Sequence, residues 1–274
     1  MLDGPIRETL ASGRTALTSG VWLGRHYGGF RQTLRRVRPD MSELTPVRLT
    51  AWRRGARYFH LGLTAGERCF VKTDGRARLL EREVAAGERL EGSPRARDCT
   101  PRLLFHELGG PYPFAAFRWI DHLPLAEALG RADFQRVAPG LADGLLGVVD
   151  ALGSAEIVHR DITPQNLLVG VDARHGLTER LTLIDLAFAV IDGVASADAR
   201  VPAGDLDVLS SGFRPGPLVW DDAYSSLRIL ELMGRAAGEP FIDIAQRLRD
   251  RVGTRLYRHP AIATVQPAGR SASG

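Results

Sequence analysis

His159-Arg160-Asp161-Ile162-Thr163-Pro164-Gln165-Asn166 places a carboxylate and a carboxamide five residues apart in one polar stretch. Pro164 between them fixes one backbone dihedral, so both side chains can leave the loop toward one side. Upstream, Leu141, Leu145, Val148, Val149 and Leu152 recur at helical spacing, and Gly153 follows as a stop. A helix with one buried stripe therefore delivers the chain into the loop. Downstream, Leu167-Leu168-Val169 and Leu181-Thr182-Leu183-Ile184 are short apolar runs, the second ending in Asp185-Leu186-Ala187. A carboxylate at the end of a buried strand is costly unless it meets a cation or hydrogen-bond donors. Taken singly, Asp161 and Asp185 each also read as the cap of a turn.

The octapeptide resembles the catalytic loop of the protein-kinase superfamily, whose pattern is H-R-D-x-x-x-x-N. The resemblance implies that Asp161 accepts the proton of an attacking hydroxyl, and that Asn166 ligates Mg²⁺. Asp185-Leu186-Ala187 is similar to the metal-binding Asp-Phe-Gly of that superfamily, with Leu for Phe and Ala for Gly. Asp185 is then the second Mg²⁺ ligand.

Further upstream, the strand period of Arg68-Cys69-Phe70-Val71-Lys72-Thr73 puts Lys72 on the face of Phe70, opposite Cys69 and Val71. Leu79 to Leu90 reads as a helix whose inward face carries Glu83, with Glu81 the fallback on a more polar face. In kinases such a strand-to-helix pair orients the lysine toward the α- and β-phosphates of ATP. Lys72 and Glu83 take those roles by resemblance. Trp220-Asp221-Asp222-Ala223-Tyr224-Ser225 resembles the helix at the floor of the kinase C-lobe, where an Asp accepts backbone N–H bonds from the catalytic loop. Asp222 is assigned that brace; an ordinary helix N-cap is an equal reading of it. The likeness spans roughly residues 45 to 235, with four anchors in the superfamily's order.

Phe117-Arg118-Trp119-Ile120-Asp121 looks like a kinase hinge, which implies that adenine bonds the backbone around Ala116 to Trp119. The chain also departs from the pattern. No G-x-G-x-x-G precedes Lys72; a first hairpin from Val47 to Leu63 turns at Arg53-Arg54-Gly55-Ala56, so Gly55 alone relieves the approach of backbone amides to the phosphates. Thr163 stands where many Ser/Thr kinases carry a Lys; Arg53 or Arg54 can replace that charge or simply be solvated. Phe213-Arg214-Pro215-Gly216-Pro217 lacks the Glu of A-P-E. Arg160 before Asp161 is the arrangement of kinases regulated by activation-segment phosphorylation, which favours a protein Ser or Thr as acceptor.

With 274 residues and 44% hydrophobic content the chain can bury a sizeable core. The resemblance implies an α+β, two-lobed protein-kinase-like fold: a basic extension at 1–44, a β-rich N-lobe at 45–118, a mostly helical C-lobe at 119–258, and a disordered tail at 259–274. Two cysteines give no disulfide framework, no apolar run reads as long enough to span a bilayer, and no signal-peptide core is present; a cytoplasmic protein is expected. A net charge of +4 is too small to argue for nucleic acid. The basic stretch Arg25 to Arg38, with Tyr, Phe, Leu and Val interleaved, reads either as an extension packed on the N-lobe or as a contact with an anionic surface. The expected activity is transfer of the γ-phosphate of ATP, with Mg²⁺, to a protein Ser or Thr. A glycan or small-molecule kinase and a nucleotide-binding pseudokinase scaffold are the alternatives.

Overall fold

The computed structural model describes residues 4–47, 52, 55–94, 96, 98–192 and 206–260, a mixed α and β chain with an antiparallel multi-strand sheet. Its contacts divide it into two compact units: Met1–Glu91 with Pro101–Ile120, and Gly92–Thr100 with Asp121–Gly274.

The first unit is a five-stranded sheet in the order β1-β2-β3-β5-β4, every neighbouring pair antiparallel: β1 Met41–Pro46, β2 Ala56–Leu63, β3 Arg68–Asp74, β4 Leu103–Glu107 and β5 Phe114–Arg118. Alternation along β3 separates its two faces. Cys69 and Val71 join Phe59, Leu61, Phe114 and Ala116 in a cluster with Phe30 and Leu34 of α1 Gly4–Val37. On the other face, Phe70 packs with Ala115, Phe117 and Leu103 against Leu80 and Val84 of α2 Ala77–Glu91. The stretch read as a basic extension is thus a helix whose apolar side completes a core. Phe30 and Phe59 pack at a tilt of 43° with centroids 4.9 Å apart, and the Tyr27 hydroxyl donates to the Leu44 carbonyl at 2.6 Å.

The first hairpin begins earlier than the expected Val47, and the boundary at 44/45 falls inside β1. The cause is an irregularity between Met41 and Glu43 that shifts the register. It puts the buried positions Met41 and Leu44 three apart and hides the period of two. Arg53 and Arg54 lie outside the described residues.

In the second unit, α4 Phe134–Ser154 is the central helix, reached through β6 His122–Pro124 and the short α3 Leu125–Ala128. It packs on β9 Gly176–Leu183, which continues a three-stranded sheet with β8 Leu167–Asp172 and β6, and on α5 Asp222–Ala237. Among the described residues α4 alone has the length and mean hydropathy, 1.2, of a membrane span, but Leu141, Leu145, Val148 and Leu152 are buried in the unit's core. The helix continues past Gly153 to Ser154, and the residue in the left-handed region is Glu156, at φ 57°. Gly153 therefore does not stop it. Two small ribbons complete the unit: β7 Ile157–Val158 pairs with β10 Val190–Ile191, and β11 Val219–Trp220 with β12 Tyr257–Arg258, the latter two enclosing α5 and α6 Ile242–Arg249 in sequence. His259, placed in the tail from sequence, is buried and donates its N–H to the Leu218 carbonyl at 3.0 Å; the expected tail from 261 onward lies outside the described residues. Cys69 and Cys99 form no disulfide, and burial pushes each thiol up.

Candidate active site

Lys72 sits in the middle of β3, opposite Tyr58 of β2 and Ala115 of β5, on the face that α2 covers. An ammonium there loses its water, and Glu83 supplies the counter-charge: Nζ to Oε2 is 2.7 Å, with both side chains 6% exposed. Glu83 lies one helical turn from Leu79 and Leu80 and two from Leu90, all buried, so the hydrophobic stripe of α2 aims it at the sheet. Glu81, the fallback, is exposed. Lys72 is also the only lysine in a chain that holds 36 Lys and Arg side chains. Composition alone singles out this side chain.

In the second unit, the loop between β7 and β8 assembles around Asp161. The Asn166 amide nitrogen donates to the Asp161 carbonyl at 2.9 Å and to its Oδ2 at 3.0 Å. Ser210 donates its backbone N–H to Oδ1 at 2.7 Å, and its hydroxyl to the Arg160 carbonyl at 3.0 Å. Both carboxylate oxygens are therefore oriented from either side. Ser210 was not legible as a site residue; it holds φ 48°, a conformation that no residue type in its stretch announces. The loop also grips the segment before Asp185: Ile184 donates its N–H to the Asn166 carbonyl at 2.9 Å, and its carbonyl meets His159 Nε2 at 3.0 Å. Asp185 follows at φ 67°, a left-handed conformation that costs on the order of 1 kcal/mol for a residue with a Cβ. Ala187 and Leu186 behind it are buried.

With its nitrogen held by Asp161, the Asn166 amide turns its oxygen the other way, and no described group donates to that oxygen. An amide oxygen and the Asp185 carboxylate are hard oxygen donors of the type Mg²⁺ prefers, so the residues present fit the ion.

Asp221 and Asp222 divide the two roles that the sequence left open. Asp221 is the N-cap of α5, accepting from Tyr224 N at 3.0 Å. Asp222 is the brace: its Oδ2 accepts from His159 N at 2.7 Å and its Oδ1 from Arg160 N at 3.2 Å. Burial pushes the Asp222 carboxyl up to about 7, while the two loop N–H bonds pull it down. A raised carboxyl pKa means that the folded chain holds the proton more tightly than the unfolded chain does. Asp222 thus favours folding most below its unfolded value of 3.8, and that contribution is lost as pH rises to about 7. Asp222→Asn removes the titration, so the stability of wild type relative to this variant should fall between pH 4 and 7 in urea unfolding. A constant difference would show that the carboxyl does not titrate there.

Arg160 is buried, at 1% exposure. Its Nε donates to the Phe188 carbonyl at 2.6 Å, and its guanidinium lies 5.3 Å from the Trp220 ring and 5.2 Å from the Tyr257 ring. This arginine is built into the interior of the unit beside two aromatic rings. Arg160→Ala should cost about 2 to 4 kcal/mol in urea unfolding, and Arg160→Lys should restore little of it, because an ammonium has no plane to stack between two rings. Wild-type stability of the lysine variant would overturn the stack.

Two expected nucleotide contacts differ. The Arg118 N–H donates to the Arg102 carbonyl at 2.9 Å and the Trp119 N–H to the Arg68 carbonyl at 3.2 Å, so these donors are not open to adenine. The Trp119 ring instead packs edge-on to His60, centroids 4.3 Å apart. Gly55 has φ 101°, and a Cβ there would stand 3.2 Å from the Asp74 carboxylate that pairs with Arg76. The backbone explains this glycine without a phosphate. No protein-family model matches the chain, and no curated protein sequence matches it.

Proposed function

We propose that the chain is a phosphotransferase of protein-kinase-like fold, dependent on ATP and Mg²⁺ and acting on a hydroxyl acceptor. The observation that carries this reading is the buried Lys72–Glu83 pair at 2.7 Å in a chain whose every other basic Lys or Arg side chain is arginine. A lone ammonium is a compact donor for phosphate oxygens, and it is not interchangeable with a guanidinium fork. On this reading the first unit is the N-lobe and supplies Lys72, held by Glu83, to the α- and β-phosphates. The second unit is the C-lobe and supplies the chemistry. Asp161, already oriented by Ser210 and Asn166, takes the hydroxyl proton of the acceptor. Asn166 and Asp185 would hold Mg²⁺, which when bound neutralises developing phosphate charge. A cytoplasmic location belongs to the same proposal.

The acceptor is a protein Ser or Thr on the sequence reading. A sugar or other small-molecule hydroxyl is favoured instead by Phe213-Arg214-Pro215-Gly216-Pro217, which lacks the Glu of A-P-E. One experiment addresses the nucleotide half: an acyl-phosphate derivative of ATP transfers its acyl group to a lysine that approaches the phosphates. In this chain it should label a single side chain, Lys72, and Mg²⁺-ATP should compete. No labelling at Lys72 would refute nucleotide binding as drawn. Transfer from γ-labelled ATP to a protein fraction or to a sugar fraction then separates the two acceptors, and nucleotide binding without any transfer would identify a pseudokinase.

A further inference from the structure

α1 has a second face that the core does not use. Phe30 and Leu34 are buried against the sheet, and Trp22, Leu23, Tyr27 and Val37 pack on the same cluster. Leu17, Val21, Arg25, Gly28, Gln32 and Arg35 follow one another at steps of three or four and are all exposed, forming one outward stripe roughly 28 Å long at 1.5 Å per residue. Leu17 and Val21 are 71% and 51% exposed, although they are aliphatic. From residue 17 to residue 38 the chain has five arginines, at 25, 31, 35, 36 and 38, and no Asp or Glu. The nearest acid that follows, Asp40, is paired with Arg38 at 2.7 Å. Gly20 and Gly24 border the stripe and Gly28 lies in it, at intervals of four, and a Cβ at any of them would meet no described atom within 4 Å. Glycine weakens a helix relative to alanine, and no described residue requires it there.

We propose that this outer face of α1 docks on the anionic headgroup surface of a lipid bilayer. The aliphatic pair enters the boundary of the acyl region, the arginines meet lipid phosphates, and the glycines leave the helix no side chains to hold it off the surface. Duplex nucleic acid would satisfy the arginines but would leave Leu17 and Val21 in water. A second copy of the same face would set arginine against arginine.

The test is cosedimentation of the full chain with vesicles of phosphatidylcholine alone or mixed with phosphatidylglycerol. The chain should pellet with the anionic vesicles only, and high salt should release it. Arg25→Gln with Arg35→Gln should weaken partitioning on the order of twentyfold, at about fivefold for each basic side chain near the surface. Leu17→Ser with Val21→Ser should also weaken it, and both double variants should keep wild-type acyl-phosphate labelling of Lys72. Equal binding to neutral vesicles, wild-type partitioning of the arginine variant, stronger binding to RNA than to anionic vesicles, or self-association through this face would each overturn the proposal.

Discussion

Asp161→Asn should lower phosphoryl transfer by roughly a hundred- to ten-thousandfold, the usual worth of a positioned general base. The two bonds that orient the carboxylate explain why the fold should survive. Asn keeps one carbonyl oxygen for either the Ser210 N–H or the Asn166 amide, so one hydrogen bond is lost and stability should change by about 1 kcal/mol. Nucleotide affinity should hardly move, because Asp161 is assigned neither to the phosphates nor to Mg²⁺. Single-turnover rates, nucleotide affinity and urea midpoints separate these effects. Turnover like that of wild type would sink the assignment of Asp161.

The second large effect concerns Lys72 and Glu83. Both are 6% exposed, so removing either leaves a charge buried without its partner, a change that costs about 3 to 5 kcal/mol for buried pairs and only about 0 to 1 for exposed ones. Lys72→Met and Glu83→Gln should each destabilise the first unit strongly. The double variant should be far less damaged than the sum of the two. ATP affinity should fall in Lys72→Met directly and in Glu83→Gln through the loss of lysine orientation. Additive stabilities in a double-mutant cycle would show that the two charges do not depend on each other.

Much of this was legible wherever periodicity and chemistry agree. The alternation of Phe70 and Lys72 against Cys69 and Val71 gave the face of β3, and the apolar spacing around Glu83 gave the face of α2. The brace reading of Asp222 comes from the family resemblance rather than from spacing, and the N-cap role that competes with it falls to Asp221. What stayed hidden depends on contacts distant in sequence or on local breaks of period. The irregularity near Met41 masked β1, and the Ser210 contact with Asp161 joins residues 49 apart. Arg160 illustrates the limit most sharply: its position in the octapeptide says nothing about Trp220 and Tyr257, which decide its environment. The same holds at Arg118 and Trp119, whose N–H groups find the carbonyls of Arg102 and Arg68, partners that a local motif does not reveal.

The last described stretch is tied to the loop at several points. Gly253 donates its N–H to the second oxygen of Asp221 at 2.6 Å, Tyr257 covers the Arg160 guanidinium, and β12 pairs with β11 directly before α5. The amides of His159, Arg160, Tyr224 and Gly253 all end on the adjacent carboxylates Asp221 and Asp222. In hydrogen exchange these four amides should behave as one cooperative unit, opening together rather than in order along the chain. Loosening residues 251–259 would then raise exchange at His159, more than 90 positions away in sequence, before the core of α4 responds.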